Sequence, residues 1–260
     1  MNARCCQNRA KHQQQVSRRG TRATTSAFSN SLQRGFTVLE FVLVLVVVGL
    51  LFGGAAAGRE MIVAAKARNL INQQEELRVA FFSFQDRFQF APGDFNDAIR
   101  SIGATRNGDG DGRIEGAREG GTENILAWEH LSRAGFISDR FTYTPAPPYD
   151  NAVPRNPFGP HLDIAFDNWY GDPAGTPPKI HSIKTGNGIP AEILAEVDLK
   201  IDDNNALTGK LLFSDFAATG TPPAGLGPGP ACVSNTAANL GAWNAASSPS
   251  AEDCGAASLL

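Results

Sequence analysis

The nine residues Asn107-Gly108-Asp109-Gly110-Asp111-Gly112-Arg113-Ile114-Glu115 place oxygen donors at alternate positions. Side-chain oxygens at positions one, three and five, glycine at six and an apolar residue at eight match the first part of an EF-hand loop. Asn107, Asp109 and Asp111 fill the first three places, and Gly112 and Ile114 fill the next two. The implied chemistry is Ca2+ binding. Hard oxygens are concentrated in one turn, the glycines let the backbone wrap, and the carbonyl of Arg113 would be the position-seven ligand. Position twelve is Arg118, where a bidentate glutamate is expected. Glu115, Glu119 or Glu123 could substitute. The competing reading is a solvated, acidic, glycine-rich turn.

A second acidic group, Asp198, Asp202 and Asp203, falls near the end of a predicted helix, with Lys200 and Lys210 as ordinary partners. Acidic residues there oppose the helix dipole, so a cation would be favourable. Cys232 and Cys254 are the only cysteines beyond the first 35 residues. In an exported segment they could form a disulfide, closing a loop worth roughly 3 kcal/mol, or remain two thiols. For catalysis the sequence is poor, and a non-enzymatic role is expected. The histidines have no metal or triad neighbours, and His130 reads as a surface or packing residue. There is no Gly-x-Ser-x-Gly, no phosphate-binding glycine loop and no His-Glu-x-x-His.

These residues need elements to position them. From Phe36 to Ala57 the chain is apolar apart from one charge, Glu40. About 20 such residues span a bilayer core as a helix, and a carboxylate inside one costs roughly 2.5–3.5 kcal/mol at its centre. The first 35 residues hold seven basic residues and no acid, while the whole chain is −3, leaving −10 for the rest. That asymmetry predicts a cytoplasmic N-terminus and an exported remainder. Nucleic acid is an unexpected partner for so acidic a body. A secretory signal peptide cut near Ala55-Ala56-Ala57 and a plain single-span anchor both compete, but neither explains Glu40.

Beyond Gly58 the pattern becomes amphipathic, with Val63, Leu70, Leu77, Phe81, Phe84 and Phe88 at helical spacing. Pro92-Gly93 ends it. The following residues predict a small domain. Leu162–Phe166, Lys179–Ile183 and Leu211–Phe213 read as strands, and Asn124–Ala134 and Ile189–Leu199 as helices. The tail from Thr219 reads as a loop.

Gly35-Phe36-Thr37-Val38-Leu39-Glu40 followed by the apolar run resembles the class III signal of type IV prepilins and type II secretion pseudopilins. The resemblance implies cleavage by a prepilin peptidase/N-methyltransferase between Gly35 and Phe36, and methylation of Phe36. It also implies that Glu40 pairs with the new amine to set subunit register. The departures are a long leader and Ala57 where the family commonly has proline; Gly53, Gly54 and Gly58 flank that place. The segments around Ala91-Pro92-Gly93-Asp94 and Trp128-Glu129-His130-Leu131 are more weakly similar to a subgroup of pilin-like proteins. The expected fold is therefore a pilin-like α+β protein, a long N-terminal helix with a transmembrane first half packed on a small antiparallel-sheet head. Its parts would be a leader, 1–35, a transmembrane or filament-core helix, 36–57, its amphipathic continuation, 58–91, and a head, 92–260, with a stapled C-terminal loop. The expected place is a bacterial inner membrane, single-pass with the head periplasmic, and then the filament. The implied partners are the peptidase, other pilin or pseudopilin subunits, an inner-membrane assembly platform and the lipid bilayer. The implied role is a structural subunit of a type IV pilus or type II secretion pseudopilus. The alternative is a minor tip subunit acting as an adhesin or as a DNA- or substrate-binding module.

Overall fold

The computed structural model describes residues 36–116, 121–171, 177–214, 232–234, 236, 240–244 and 253–260. Gly35, Arg118 and Glu119, each named above, lie outside the described residues, as does most of the tail from Thr219. The chain divides into two compact units, Met1–Leu50 and Leu51–Leu260.

In the first unit the described residues form the start of helix α1 (Val38–Phe88). Thr37 precedes the helix, and its Oγ1 accepts the backbone N–H of Glu40 at 3.2 Å. Thr37-x-x-Glu40 thus has capping-box spacing, and Glu40 also faces the positive end of the helix dipole. The apolar residues around them are exposed: Phe36 at 79%, Val38 at 82% and Phe41 at 61%.

Two expectations are corrected here: a pilin-like fold whose long helix has a transmembrane first half, and single-pass placement in an inner membrane. Among the described residues, no helix is long and apolar enough to cross a membrane. The reason is the make-up of α1, which is long without being apolar throughout. Its apolar stretch is interrupted by Glu40, Gly49, Gly53 and Gly54, and Arg59 and Glu60 close it.

The second unit is α+β. It contains α2 (Ala98–Ile102), α3 (Glu123–Arg133), β1 (Asp163–Asp167), β2 (Ile180–Lys184), α4 (Ala191–Ile201), β3 (Leu211–Phe213) and β4 (Ala256–Leu259). The strands form one antiparallel sheet in the order β1-β2-β4-β3. The spacing of apolar residues along α1 explains which face it buries. Ala67, Leu70, Leu77, Phe81 and Phe84 recur by threes, fours and sevens and are all buried.

That face meets two cores. Leu77, Phe81 and Phe84 pack with Ile125, Trp128 and Leu131 of α3 and Ile164 and Ile183 of the sheet. Ala67 and Leu70 pack with Ile193, Leu194 and Val197 of α4 and with the Cys232–Cys254 bridge. The two cysteines are joined, with Cα atoms 5.6 Å apart. The sheet also buries charge: Lys184 pairs with Asp167 out of water. Asp163, opposite Lys184 across β1 and β2, accepts a 3.0 Å hydrogen bond from Asn124 Nδ2. Burial pushes the Asp163 carboxyl up to about 6, and Lys184 opposes that rise.

A candidate cation site between two loops and the start of α3

Three segments meet at the acidic loop. The first is the turn that ends α1's run, where Asp94 N–H bonds to Ala91 O at 3.2 Å. The second is the glycine-rich loop itself. The third is the first turn of α3, which begins with Glu123. Two features hold the loop against the turn. Gly108 N–H donates to Phe95 O at 2.9 Å, and a Cβ on Gly108 would lie 2.2 Å from Gly93 O, so only glycine allows the approach. His130 is buried and bridges the same segments. Its Nδ1 accepts Gly93 N–H at 3.0 Å, and its Nε2 then carries the proton and donates to Arg106 O at 3.1 Å. Burial holds the imidazole below its ordinary range, consistent with that neutral form.

This scaffold converges five carboxylates. Asp94, Asp109 and Asp111 bring carboxylate oxygens within 4.8 Å of one another, and so do Asp109, Glu115 and Glu123. Asp109 is common to both groups. Oxygens at that separation can share one ion at about 2.4 Å each, inside the calcium range. Asp94 is fully buried; its Oδ2 accepts Gly112 N–H at 3.1 Å, and its Oδ1 has no hydrogen-bond partner. Glu123 Oε1 accepts Asp109 N–H at 3.0 Å, and Asp109 Oδ1 and Asp111 Oδ1 accept the N–H groups two residues on.

Crowding marks the electrostatics. Burial raises the Asp94 carboxyl to about 6, Gly112 N–H opposes this, and Asp111 and Asp109 add to the rise. Glu123 is pushed up to about 8, first by burial, with Glu115, Asp109 and Asp94 adding to it. Arg113 is the loop's own cation, and it reaches only the exposed edge of Asp111, at 3.9 Å.

The residues expected from the sequence distribute unevenly. Asp109 comes together with Asp111 in one group and with Glu115 and Glu123 in the other. Asn107 turns its Oδ1 to the N–H of Ile99, at 2.8 Å, so it caps the loop to α2. The Arg113 guanidinium lies over the Phe166 ring at 5.8 Å. Sequence reasoning missed Asp94 because it precedes the loop by 13 residues. The signal was present in Ala91-Pro92-Gly93-Asp94, a turn that had to pack somewhere.

In comparisons with known proteins, no family model, no curated protein and no solved structure matches this chain.

Proposed function

We propose that the protein is a structural filament subunit, of the type IV pilus or type II secretion pseudopilus kind, assembled through the apolar part of α1. The observation that carries this reading is the bare apolar surface of that helix. Phe36, Val38, Leu39, Leu50, Leu51 and Phe52 are each more than half exposed, in one continuous sequence run. Apolar surface of this extent marks an interaction site, and copies of the same helix packed side by side would cover it. Glu40 is the one charge on that surface. The amine exposed by cleavage after Gly35 is a partner that would let a carboxylate be buried there. Under this reading, the prepilin peptidase/N-methyltransferase, other subunits and an assembly platform are the partners.

The acidic site fits the same role as a cation staple in the head. Its donors are all hard oxygens, which suits calcium. Asp94, Asp109 and Asp111 would hold an ion, Asp109, Glu115 and Glu123 form the adjoining group, and Asp94 Oδ1 is the buried acceptor awaiting a partner.

Mass spectrometry of the mature N-terminus in the native host tests the reading. N-methyl-Phe36 as the first residue is the expected result. A mature chain beginning near Gly58, or one with its leader uncut, would overturn it.

A further inference from the structure

The end of α4 carries a second carboxylate cluster, built differently from the first. Asp198, Asp202 and Asp203 bring carboxylate oxygens within 4.8 Å of one another. Asp198 is fully buried, and its Oδ2 accepts the indole N–H of Trp243 at 2.6 Å. Its Oδ1 is buried with no hydrogen-bond partner. An acceptor in that state costs free energy unless something meets it.

The other two acids are held by their own loop. Asp202 Oδ2 accepts the backbone N–H groups of Lys210 and Leu211, the latter at 3.0 Å. Gly209 beside it has φ +88°, a left-handed backbone that favours glycine, and a Cβ there would lie 2.0 Å from that oxygen. Asp203 Oδ1 accepts Asn205 N–H at 3.0 Å, and Thr208 Oγ1 donates to Asp203 Oδ2.

The charge balance favours a cation. All three carboxylates sit at the negative end of the α4 dipole, whose last carbonyls also point that way. Lys200, the basic residue of the last turn, pairs with Glu196 instead. Burial raises the Asp198 carboxyl to about 6, with Asp202 and Asp203 adding to the rise and the Trp243 bond opposing it.

We propose that Asp198, Asp202 and Asp203 form a second calcium site, which fastens the end of α4 to the disulfide-stapled C-terminal segment. Trp243 belongs to that segment, and Gly241 O accepts Ala206 N–H at 2.8 Å, so the loop and the segment already share a seam. The donors are carboxylate oxygens, which suits a hard divalent cation and not zinc. The site stands independently of the acidic-loop reading, since no residue is shared.

Calcium titration of the full chain by calorimetry, with terbium luminescence alongside, tests this. Terbium replaces calcium, and Trp243 beside Asp198 would sensitise its emission. The wild type is expected to bind one more calcium per chain than Asp198→Asn, which keeps an acceptor for the Trp243 indole. Asp203→Asn, at the exposed edge, should lose the same ion if Asp198→Asn fails to fold. Trp243→Phe should keep the calcium and lose the part of the sensitised emission that Asp198→Asn also loses, whereas Asp109→Asn should keep that part. If the acidic loop binds nothing, the wild type binds a single calcium and Asp198→Asn binds none, which still supports this site. Unchanged calcium stoichiometry in the Asp198 and Asp203 variants would overturn it.

Discussion

Glu123→Gln gives the sharpest test of the acidic site. The Glu123 carboxyl is raised from an ordinary 4.5 to about 8 in the folded chain, chiefly by burial. Below pH 4.5 both folded and unfolded chains carry the proton, and no stability is lost. As pH rises, the unfolded chain ionises first, so the metal-free fold loses stability progressively up to about pH 8. Taken at 1.36 kcal/mol per unit, the full shift would be roughly 5 kcal/mol. Glu123 is only half-buried, and solvent screening reduces that to on the order of 2 kcal/mol. For a domain of this size that is a fall of about 4–8 °C in Tm over the whole rise, somewhat under half of it above pH 6.5. His130 and His181, held neutral by burial, act in the opposite sense below about pH 6.5, so melts between pH 6.5 and 8.5 isolate the carboxylate effect. In EDTA the wild type should lose stability across that range, and millimolar calcium should abolish the loss. Glu123→Gln should melt higher than wild type in EDTA at pH 8, vary little with pH and respond weakly to calcium. A wild-type Tm that is flat with pH in EDTA, or a Glu123→Gln chain less stable than wild type there, would refute the reasoning.

Three other outcomes follow from the packing. Replacing Cys232 and Cys254 with serine should cost roughly 3 kcal/mol, read as a lower urea midpoint, because a constraint on the unfolded chain is lost. Lys184→Met should cost about 3–5 kcal/mol by leaving Asp167 charged and unpaired in the sheet, and Asp167→Leu added to it should restore most of that. Gly108→Ala should destabilise by about 1–3 kcal/mol and weaken calcium binding together, because the added Cβ meets the Gly93–Asp94 backbone.

Much of this fold is legible in the chain because the signals are periodic or punctuated. The buried face of α1 follows from the spacing of Leu70, Leu77, Phe81 and Phe84, and the helix stops at Phe88, shortly before Pro92-Gly93. β1, β2 and β3 fall within a residue of their alternating runs. β4 is not legible: Ala-Ala-Ser-Leu has little strand character, and the pairing with β2 and β3 is what makes it a strand. His130 read as a surface or packing residue, and it packs, buried against Phe84, but nothing local reveals that its ring will bridge Gly93 and Arg106. The calcium motif gave Asp109, Asp111 and Glu115, but a loop template could not place Asp94, which arrives through tertiary packing. The membrane span was over-read. Phe36 to Ala57 is apolar in composition, but Glu40, Gly49, Gly53 and Gly54 interrupt it, and no described helix is long and apolar enough to cross a membrane.

Raised carboxylates such as Asp94 and Glu123 also invite a catalytic reading, since perturbed acids gather at active sites. The hydrogen bonds favour a different role. Glu123 spends both oxygens on backbone N–H groups, of Asp109 and Glu115, and Asp94 spends one on Gly112. These are bonds a loop uses to define its own path, and they tie the acids to neighbouring turns instead of presenting them to a substrate. The cost of that arrangement is like charge held close together in partial burial. A general acid would relieve it with a proton at the working pH, whereas a bound divalent cation relieves it for several carboxylates at once. The same logic applies at Asp198, where Trp243 fixes one oxygen and leaves the other without a partner. With four short strands among the described residues to organise the head, cations at these two clusters would do for its loops what the Cys232–Cys254 bridge does for its tail.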